Sequence, residues 1–436
     1  MKKYFPIILP FAVAKLAIQC LGNRNYGFHR DELLHLSVSE HLAWGYMEFP
    51  PLIGVLGKLS YWLFDYSLVG VRLLPTLAGI CILILCCLIA VEFGGKSKAV
   101  FLAGVGILAF LPFYRNHTLF QPVAFDQLFW TLGFYFLVKF INSNQRRFLV
   151  LLGITLGLGL MTKYTILVWA LGIFVGLFFH EKGKIFGNKW LYLSALIALL
   201  IFSPNLMWQI QNDLPAIKHL QALSSTQLEQ RSFFAFILDQ LEITPPFLMF
   251  LCGLLALIFS KILKKYRSIG VASLIVFLLM WFLNEKTYYV FALYPVVFSA
   301  AAVIIANSVK RRLVFFLIGA SILLPMVYFI PQLTPILPID RFVEFYGLEE
   351  KQGRVELTGD YTDMFGWEEQ VKLVDSVYRS LPEEERVNCV LWAENYGERA
   401  PLKFWERSII YRIQYVDMAA SGHGAMEIKM QMFGLV

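Results

Sequence analysis

Arg72-Leu-Leu-Pro-Thr-Leu-Ala-Gly-Ile-Cys-Ile-Leu-Ile-Leu-Cys-Cys-Leu-Ile-Ala-Val-Glu92 is one long apolar run with a charge at each end. Roughly 20 apolar residues match a hydrocarbon layer of about 30 Å. Lipid offers no partners to a backbone N–H or C=O, so a run of this kind reads as a membrane-spanning helix. The same reading recurs on both sides of it, giving about eleven spans at 4–22, 72–92, 99–114, 119–140, 148–161, 164–180, 190–208, 243–260, 268–284, 287–307 and 313–331. The fifth is short for a span, so 142–180 also reads as a broken hairpin. With 58% hydrophobic and only 16% charged residues, the 436-residue chain departs strongly from a soluble average. The expected fold is mainly α: a polytopic helical membrane domain followed by a small α/β domain outside the cytoplasm.

The formal charge of +7 invites a nucleic-acid reading, but its distribution argues otherwise. Basic residues collect in alternate loops: Lys2 and Lys3; Lys96 and Lys98; Arg146 and Arg147; Lys182, Lys184 and Lys189; Lys261, Lys264, Lys265 and Arg267; Lys310, Arg311 and Arg312. The positive-inside bias then puts the N-terminus in the cytoplasm and everything after Pro331 outside. The charge is a topology signal, and no nucleic-acid partner is expected. Met1-Lys-Lys before an apolar run resembles a signal peptide. No small-x-small site follows Gln19-Cys-Leu-Gly22, so it reads as a retained first helix. Cys20, Cys81, Cys86, Cys87 and Cys252 lie in spans and Cys389 stands alone in the tail, which suggests neither a disulfide framework nor a metal site.

Residues 1–331 read as the membrane domain, interrupted by a long outer loop, 23–71, and a second, 209–242, with Pro215, His219, Glu229, Arg231, Asp239 and Glu242. Residues 332–436 follow the joint Pro331-Gln-Leu-Thr-Pro-Ile-Leu-Pro338. In this tail Gly366 to Tyr378 has helical spacing and Gly397 to Trp405 reads as a short helix. Val387 to Ala393 and Ser408 to Val416 read as strands, giving a βαβ crossover.

The chemistry is expected in Tyr26-Gly-Phe-His-Arg-Asp-Glu-Leu-Leu-His35, directly after the first span. Ionisable groups at a bilayer edge are a functional-site hypothesis by default. On a helix starting near His29, Asp31 falls in line with Leu34, Val38 and Leu42, which directs its carboxylate to the apolar face and leaves Glu32, His35 and Ser39 nearer water. A carboxylate held against apolar surface suits general-base work. The competing reading makes Asp31 and Glu32 ordinary acidic residues of a first helical turn. Asp126, after Arg115-Asn-His117, needs a cation or a hydrogen-bond donor so close to hydrocarbon, and Arg115 or Arg72 would make it a structural ion pair. Lys163 in Leu160-Met-Thr-Lys-Tyr164 and Lys286 in Lys286-Thr-Tyr-Tyr289 break the positive-inside pattern, and a lysine among aromatic residues there suits an anionic headgroup. The alternative is snorkelling to ordinary lipid phosphates. Lys15, inside the first span, reads as a snorkelling or packing residue.

These residues have a known counterpart. Asp31-Glu32 in the first outer loop, followed by an amphipathic helix and Gly45-Tyr-Met-Glu-Phe-Pro-Pro-Leu-Ile-Gly54, resembles the C-type glycosyltransferases that use polyprenyl-phosphate sugars. Within these it resembles the bacterial branch related to dolichyl-phosphate-mannose protein mannosyltransferases and the lipid A aminoarabinose transferase. Phe125-Asp126, Leu160 to Tyr164, Pro204-Asn-Leu-Met-Trp-Gln209, Lys286 to Pro295, Phe365-Gly-Trp-Glu368 and Glu394-Asn-Tyr-Gly-Glu398 follow in the family's order. The resemblance implies an active site on the outer face of a bacterial inner membrane, a lipid-phosphate sugar donor, a glycan, lipid or protein acceptor, and inversion at the anomeric carbon. Asp31 would then be the base, with Glu32 or Asp126 orienting it or holding a sugar hydroxyl. Lys163, with Arg30 and Lys286, would stabilise the departing phosphate, a term that is often the largest in such sites. His29, Tyr164, Tyr288 and Tyr289 would complete the donor's surroundings. The aminoarabinose branch has a lysine directly before its Pro-Pro pair where this chain has Phe49, which argues against aminoarabinose and leaves the phosphate to other cations. No metal or other cofactor is expected.

Two other classes compete. A transporter or flippase of lipid-linked or small anionic substrates would carry inverted repeats and charges near the bilayer midplane; here the charges gather at the rim. An inactive relative serving as a sugar-lipid binding or assembly subunit would be expected to have lost Asp31 or Lys163, and both are present.

Overall fold

The computed structural model describes residues 2–179, 181–226, 232–241, 245–283, 286–351, 354–389 and 396–405. A helix stands at each of the expected span positions: Phe5–Asn23, Leu68–Glu92, Ser97–Leu108, Pro122–Ser143, Arg146–Leu160, Ile166–Leu177, Lys189–Gln211, Pro246–Phe259, Arg267–Phe282, Tyr294–Ser308 and Arg312–Leu333. Among the described residues, 7 helical stretches are long and apolar enough to cross a membrane by length and composition. The third run breaks early: its helix ends at Leu108 and Pro112–Asn116 forms a separate short one. The fifth and sixth form two short helices joined by a turn at 161–165, the broken hairpin that the sequence allowed.

The chain divides into two compact units: Met1–Asn25, Ala43–Ile53 and Val69–Leu337 form the first, and Tyr26–Leu42, Gly54–Leu68 and Pro338–Val436 the second. This departs from the expected division in two respects. Most of the 23–71 loop groups with the tail. The boundary also falls after Leu337, not at 331, because Pro331 is still inside the helix Arg312–Leu333 and Thr334 is fully buried, bonded to the Thr118 hydroxyl at 2.9 Å.

In the first unit the most enclosed long helical stretch is Tyr288–Ser308, with 78% of its apolar window buried, and the least is Lys189–Gln211, with 17%. The latter presents Leu196, Leu199 and Leu200 outward, and Arg312–Leu333 presents Leu317, Leu324 and Val327. Leaving such faces in water costs about 25 cal/mol per Å². Lipid removes that cost. Between apolar helices, close backbone approach supplies the contact energy instead. A Cβ on Gly153 would lie 2.4 Å from the Ser194 carbonyl oxygen, and one on Gly176 would lie 2.4 Å from that of Ser268. Only glycine lets these helix pairs, Arg146–Leu160 with Lys189–Gln211 and Ile166–Leu177 with Arg267–Phe282, come so near.

One end of this unit is fixed by polar bonds. Lys139 Nζ reaches Glu92 Oε1 at 2.9 Å, Asn142 donates to Glu92 Oε2 at 3.0 Å, and the Tyr266 hydroxyl donates to Asn142 Oδ1 at 2.6 Å. Lys98 Nζ donates to the Val309 carbonyl. The basic loops at 96–98, 146–147, 261–267 and 310–312 therefore open from one common end.

Lys15 does not snorkel. It is fully buried, its Nζ lies 4.5 Å over the Tyr114 ring, and no hydrogen-bond partner for that nitrogen is found among the described residues. Desolvating an unpaired ammonium costs several kcal/mol, more than the roughly 2 kcal/mol that a buried cation–π contact returns. Lys15→Met should therefore stabilise the detergent-solubilised protein by about 1–3 kcal/mol. A lowered thermal midpoint would show instead that the ammonium has a partner worth keeping.

The second unit joins Arg30–Val38 and the later part of Leu52–Phe64 to tail helices that include Ile339–Tyr346, Trp367–Ser380 and Tyr396–Trp405. Its seam is aromatic: Tyr26 meets Tyr361 at 5.0 Å and Phe365 at 4.9 Å, and Phe28 meets Phe404 at 5.2 Å. Gly27 is required there, because a Cβ would sit 2.5 Å from the Met364 carbonyl oxygen. The two expected tail helices are present. Val387 and Asn388 close a helix, Glu383–Asn388, rather than open a strand, because Pro382 and three acidic first-turn residues start a helix just upstream. The rest of that strand, 390–393, and the one at 408–416 lie outside the described residues. Among the described residues the β structure is the antiparallel pair Glu350–Lys351 and Arg354–Val355.

Candidate functional site

The carboxylate set belongs to the second unit. Arg30–Val38 begins with a capping box: His29 Nδ1 accepts from the Asp31 amide at 3.1 Å, and Glu32 Oε2 accepts from the His29 amide at 2.9 Å. Together these satisfy two of the donors that a helix start leaves unpaired. Glu32 is fully buried and its carboxylate serves the cap, whereas the Asp31 side chain remains 29% exposed. The expected facing is thus reversed. Glu32, His35, Leu36 and Ser39 form the buried stripe, and Leu42 on the Asp31 line is 52% exposed. Leucines at 33, 34 and 36 are compatible with either face, and packing against the tail selects the one that buries Leu33 and Leu36. Asp31 is the carboxylate of this pair that an incoming group can reach.

His29 is buried and Arg30 half-buried, and both are held by acids of the tail. Arg30 Nε lies 3.0 Å from Asp363 Oδ2 and 3.9 Å from Asp31 Oδ1, while His29 Nε2 lies 3.6 Å from both Asp360 and Asp363. Because Nδ1 accepts from the Asp31 amide, the imidazole proton in this arrangement is on Nε2, facing the two acids. Arg30 therefore positions the start of its helix. Sequence reading missed Asp360 and Asp363, which lie more than three hundred residues along the chain; the nearby Phe365-Gly-Trp-Glu motif was the only signal.

The cation set belongs to the first unit, at the end opposite the basic loops. Lys163, in the turn after Arg146–Leu160, donates to the Tyr289 hydroxyl at 3.2 Å, and its Nζ lies 4.4 Å over that ring. Tyr288 packs edge-on against Tyr289 at 4.5 Å and lies within electrostatic range of both Lys163 and Arg115. Lys163 and two phenols thus converge, with Arg115 adding to the field at Tyr288. Arg115 was anticipated only as a partner for Asp126. Lys286, three residues before Tyr289, is exposed.

Asp126 is buried and engaged on both oxygens: Trp130 Nε1 donates to Oδ1 at 3.0 Å and the Thr165 hydroxyl to Oδ2 at 2.8 Å. It fastens Pro122–Ser143 to the turn that carries Lys163. Tyr164 has a comparable task. Its hydroxyl donates to Asn205 Oδ1 at 2.9 Å and accepts from Gln209 Nε2 at 3.0 Å. Asn205 Nδ2 in turn donates to the Trp44 carbonyl at 2.7 Å, and Gln209 Nε2 also lies 3.4 Å from the Tyr46 carbonyl. A Cβ on Gly45 would collide with the Trp208 ring at 2.3 Å, and the Leu52 amide donates to the Met161 carbonyl at 2.9 Å. The motifs at 45–54, 160–164 and 204–209 are therefore one hydrogen-bonded assembly. Among the described residues no group of three or more His, Cys, Asp or Glu side chains is placed to hold a metal ion.

Residues 48–208 match the sequence profile of the family described as dolichyl-phosphate-mannose-protein mannosyltransferase. No curated protein matches the chain. Among solved structures, ArnT from Cupriavidus metallidurans bound to undecaprenyl phosphate superimposes with a TM-score of 0.64 at 14% identity, over 95% of this chain and 86% of that one. The archaeal oligosaccharyltransferase AglB from Archaeoglobus fulgidus, in complex with an inhibitory peptide and a dolichol-phosphate, superimposes with a TM-score of 0.57 at 12% identity, over 92% of this chain and 64% of that one. At these identities the structural likeness is one of fold. The resemblance to the C-type glycosyltransferases of the mannosyltransferase and ArnT superfamily, read first from the sequence, holds in the matched profile and in the fold.

Proposed function

We propose that this protein is an inverting glycosyltransferase that moves a sugar from a polyprenyl-phosphate carrier to a hydroxyl acceptor at the outer face of a bacterial inner membrane. The observation that carries this is the convergence of Lys163, Tyr288 and Tyr289 at the end opposite the basic loops, with Arg115 near enough to act on Tyr288. The solved relatives hold undecaprenyl phosphate or dolichol-phosphate, which is the kind of ligand such a set suits.

In the proposed reaction Asp31 accepts the proton of the acceptor hydroxyl as its oxygen attacks the anomeric carbon. The bond from that carbon to the carrier phosphate breaks on the opposite face, which inverts the configuration. The leaving phosphate gains negative charge as it departs, and fixed cations aimed at a developing charge are worth more than mobile ones. Lys163 supplies that charge, Arg115 adds to the field at Tyr288, and the two phenols add donors. Asp126 and Tyr164 are positioning residues, and Glu32 and His29 hold the helix that carries the base.

Membranes containing the protein should transfer label from a polyprenyl-phosphate [¹⁴C]sugar to added acceptor mixtures, and control membranes should not. Label that stays lipid-linked in both would count against a transferase. The topology follows from the basic loops. With the outer membrane permeabilised, an impermeant thiol reagent should label Cys389 in intact cells, and Cys389→Ser should abolish that signal. Labelling only after the inner membrane is broken would reverse the orientation and exclude an outer site.

A further inference from the structure

The second unit contains a cavity of about 850 Å³ that the proposed transfer chemistry does not use. Its size lies in the range of small-molecule sites, about 300–1,000 Å³. Phe28, Tyr66 and Trp367 supply aromatic faces, and Asp65, Glu368 and Glu369 supply carboxylates. Among the described residues lining it there is no lysine, arginine or histidine.

That lining selects by chemistry. With no cation in the described lining itself, these carboxylates disfavour phosphate and sulfate groups, although Lys372 pairs with Glu368 from outside it. An ionised carboxylate only accepts hydrogen bonds, so it calls for a ligand rich in donors. Flat aromatic faces call for a ligand with an apolar side. A sugar ring offers both, with hydroxyls around its edge and C–H bonds on its faces. A cationic peptide would satisfy the acids as well, but Glu368 is already paired with Lys372 at 2.7 Å, which reduces the charge left to attract one. The aromatic platform is also fixed in advance: Trp367 Nε1 donates to the Asp363 carbonyl at 2.7 Å. A preset ring loses little rotamer freedom when a ligand arrives.

The platform shares its anchor with the proposed base. The Asp363 carbonyl that holds Trp367 also accepts from the Arg30 amide at 3.1 Å, at the start of the Asp31 helix. Phe28 precedes Asp31 by three residues, a reach of at most about 11 Å along the chain. We propose that this cavity binds the acceptor, and that the acceptor is a neutral carbohydrate chain. The proposal rests on the transferase reading for the word acceptor, but not for the binding itself.

The test is equilibrium binding to the purified full-length protein by calorimetry, using cellohexaose, chitohexaose and mannohexaose, with hexalysine and a phosphorylated hexasaccharide as comparators. At least one neutral hexasaccharide should bind, and phosphorylation should weaken it. Asp65→Asn with Glu369→Gln keeps the shape and removes two charges, and should weaken binding about tenfold. Trp367→Ala should weaken it further, and Trp367→Phe should recover part. Hexalysine binding in place of the neutral sugars, or no neutral hexasaccharide binding at millimolar concentration, would overturn the assignment. So would unchanged affinity in the Asp65 and Glu369 double variant. Loss of sugar binding with donor turnover intact would fall on the cavity alone. Sugar binding without donor turnover would fall on the transferase reading.

Discussion

Asp31→Asn should lower turnover by about 10²–10⁴-fold, the contribution of a positioned general base, while the protein still inserts and binds donor. The substitution keeps the shape of the side chain, and the Asp31 amide that bonds His29 Nδ1 is untouched. Glu32→Gln should cost far less, since a glutamine oxygen can still accept from the His29 amide and complete the capping box. Glu32→Ala should behave differently from both. It removes a buried cap and should cost about 0.5–2 kcal/mol of stability, visible as a lower thermal midpoint with residual activity per folded molecule. Measured kcat for the three variants separates base from cap. A Glu32→Gln enzyme deader than Asp31→Asn would show that the assignments are exchanged.

Lys163→Ala should reduce kcat by about 10²–10³-fold, as loss of one donor to a developing anion typically does. Lys163→Arg should retain part of the rate, because the requirement is for a cation near Tyr288 and Tyr289 rather than for one shape. The deficit should scale with the basicity of the leaving phosphate. Unchanged turnover and donor dependence in the alanine variant would leave Lys163 as a lysine stacked on Tyr289 with no part in the reaction.

The membrane helices were legible because a long apolar run has one stable solution in lipid, and no distant contact can change it. The run at 72–92 is the plainest case. Helix ends were less legible: the break after Leu108 follows from Pro112 and not from hydropathy, whereas the turn at 161–165 falls where the apolar runs 148–161 and 164–180 divide. The facing of Asp31 was misread for a physical reason. Its helix is only 9 residues long and has leucines on more than one side, so the tail, far away in sequence, decides which side is buried. The same distance hid Asp360, Asp363 and the Gly27 contact with Met364. Motif order, by contrast, carried real structural content. Gly45 to Gly54, Leu160 to Tyr164 and Pro204 to Gln209 are held together by Tyr164, Asn205 and Gln209, although sequence reading gave Asn205 and Gln209 no task.

The central claim is that the protein breaks the bond between a sugar and a lipid phosphate. It is tested most directly in proteoliposomes holding the purified protein, a polyprenyl-phosphate donor labelled in the sugar, and acceptor outside. A transferase predicts free polyprenyl phosphate appearing in step with labelled acceptor of inverted anomeric configuration, and both signals collapsing with Asp31→Asn. Label that crosses the bilayer still attached to its lipid, with no polyprenyl phosphate released, would contradict the account and establish a flippase.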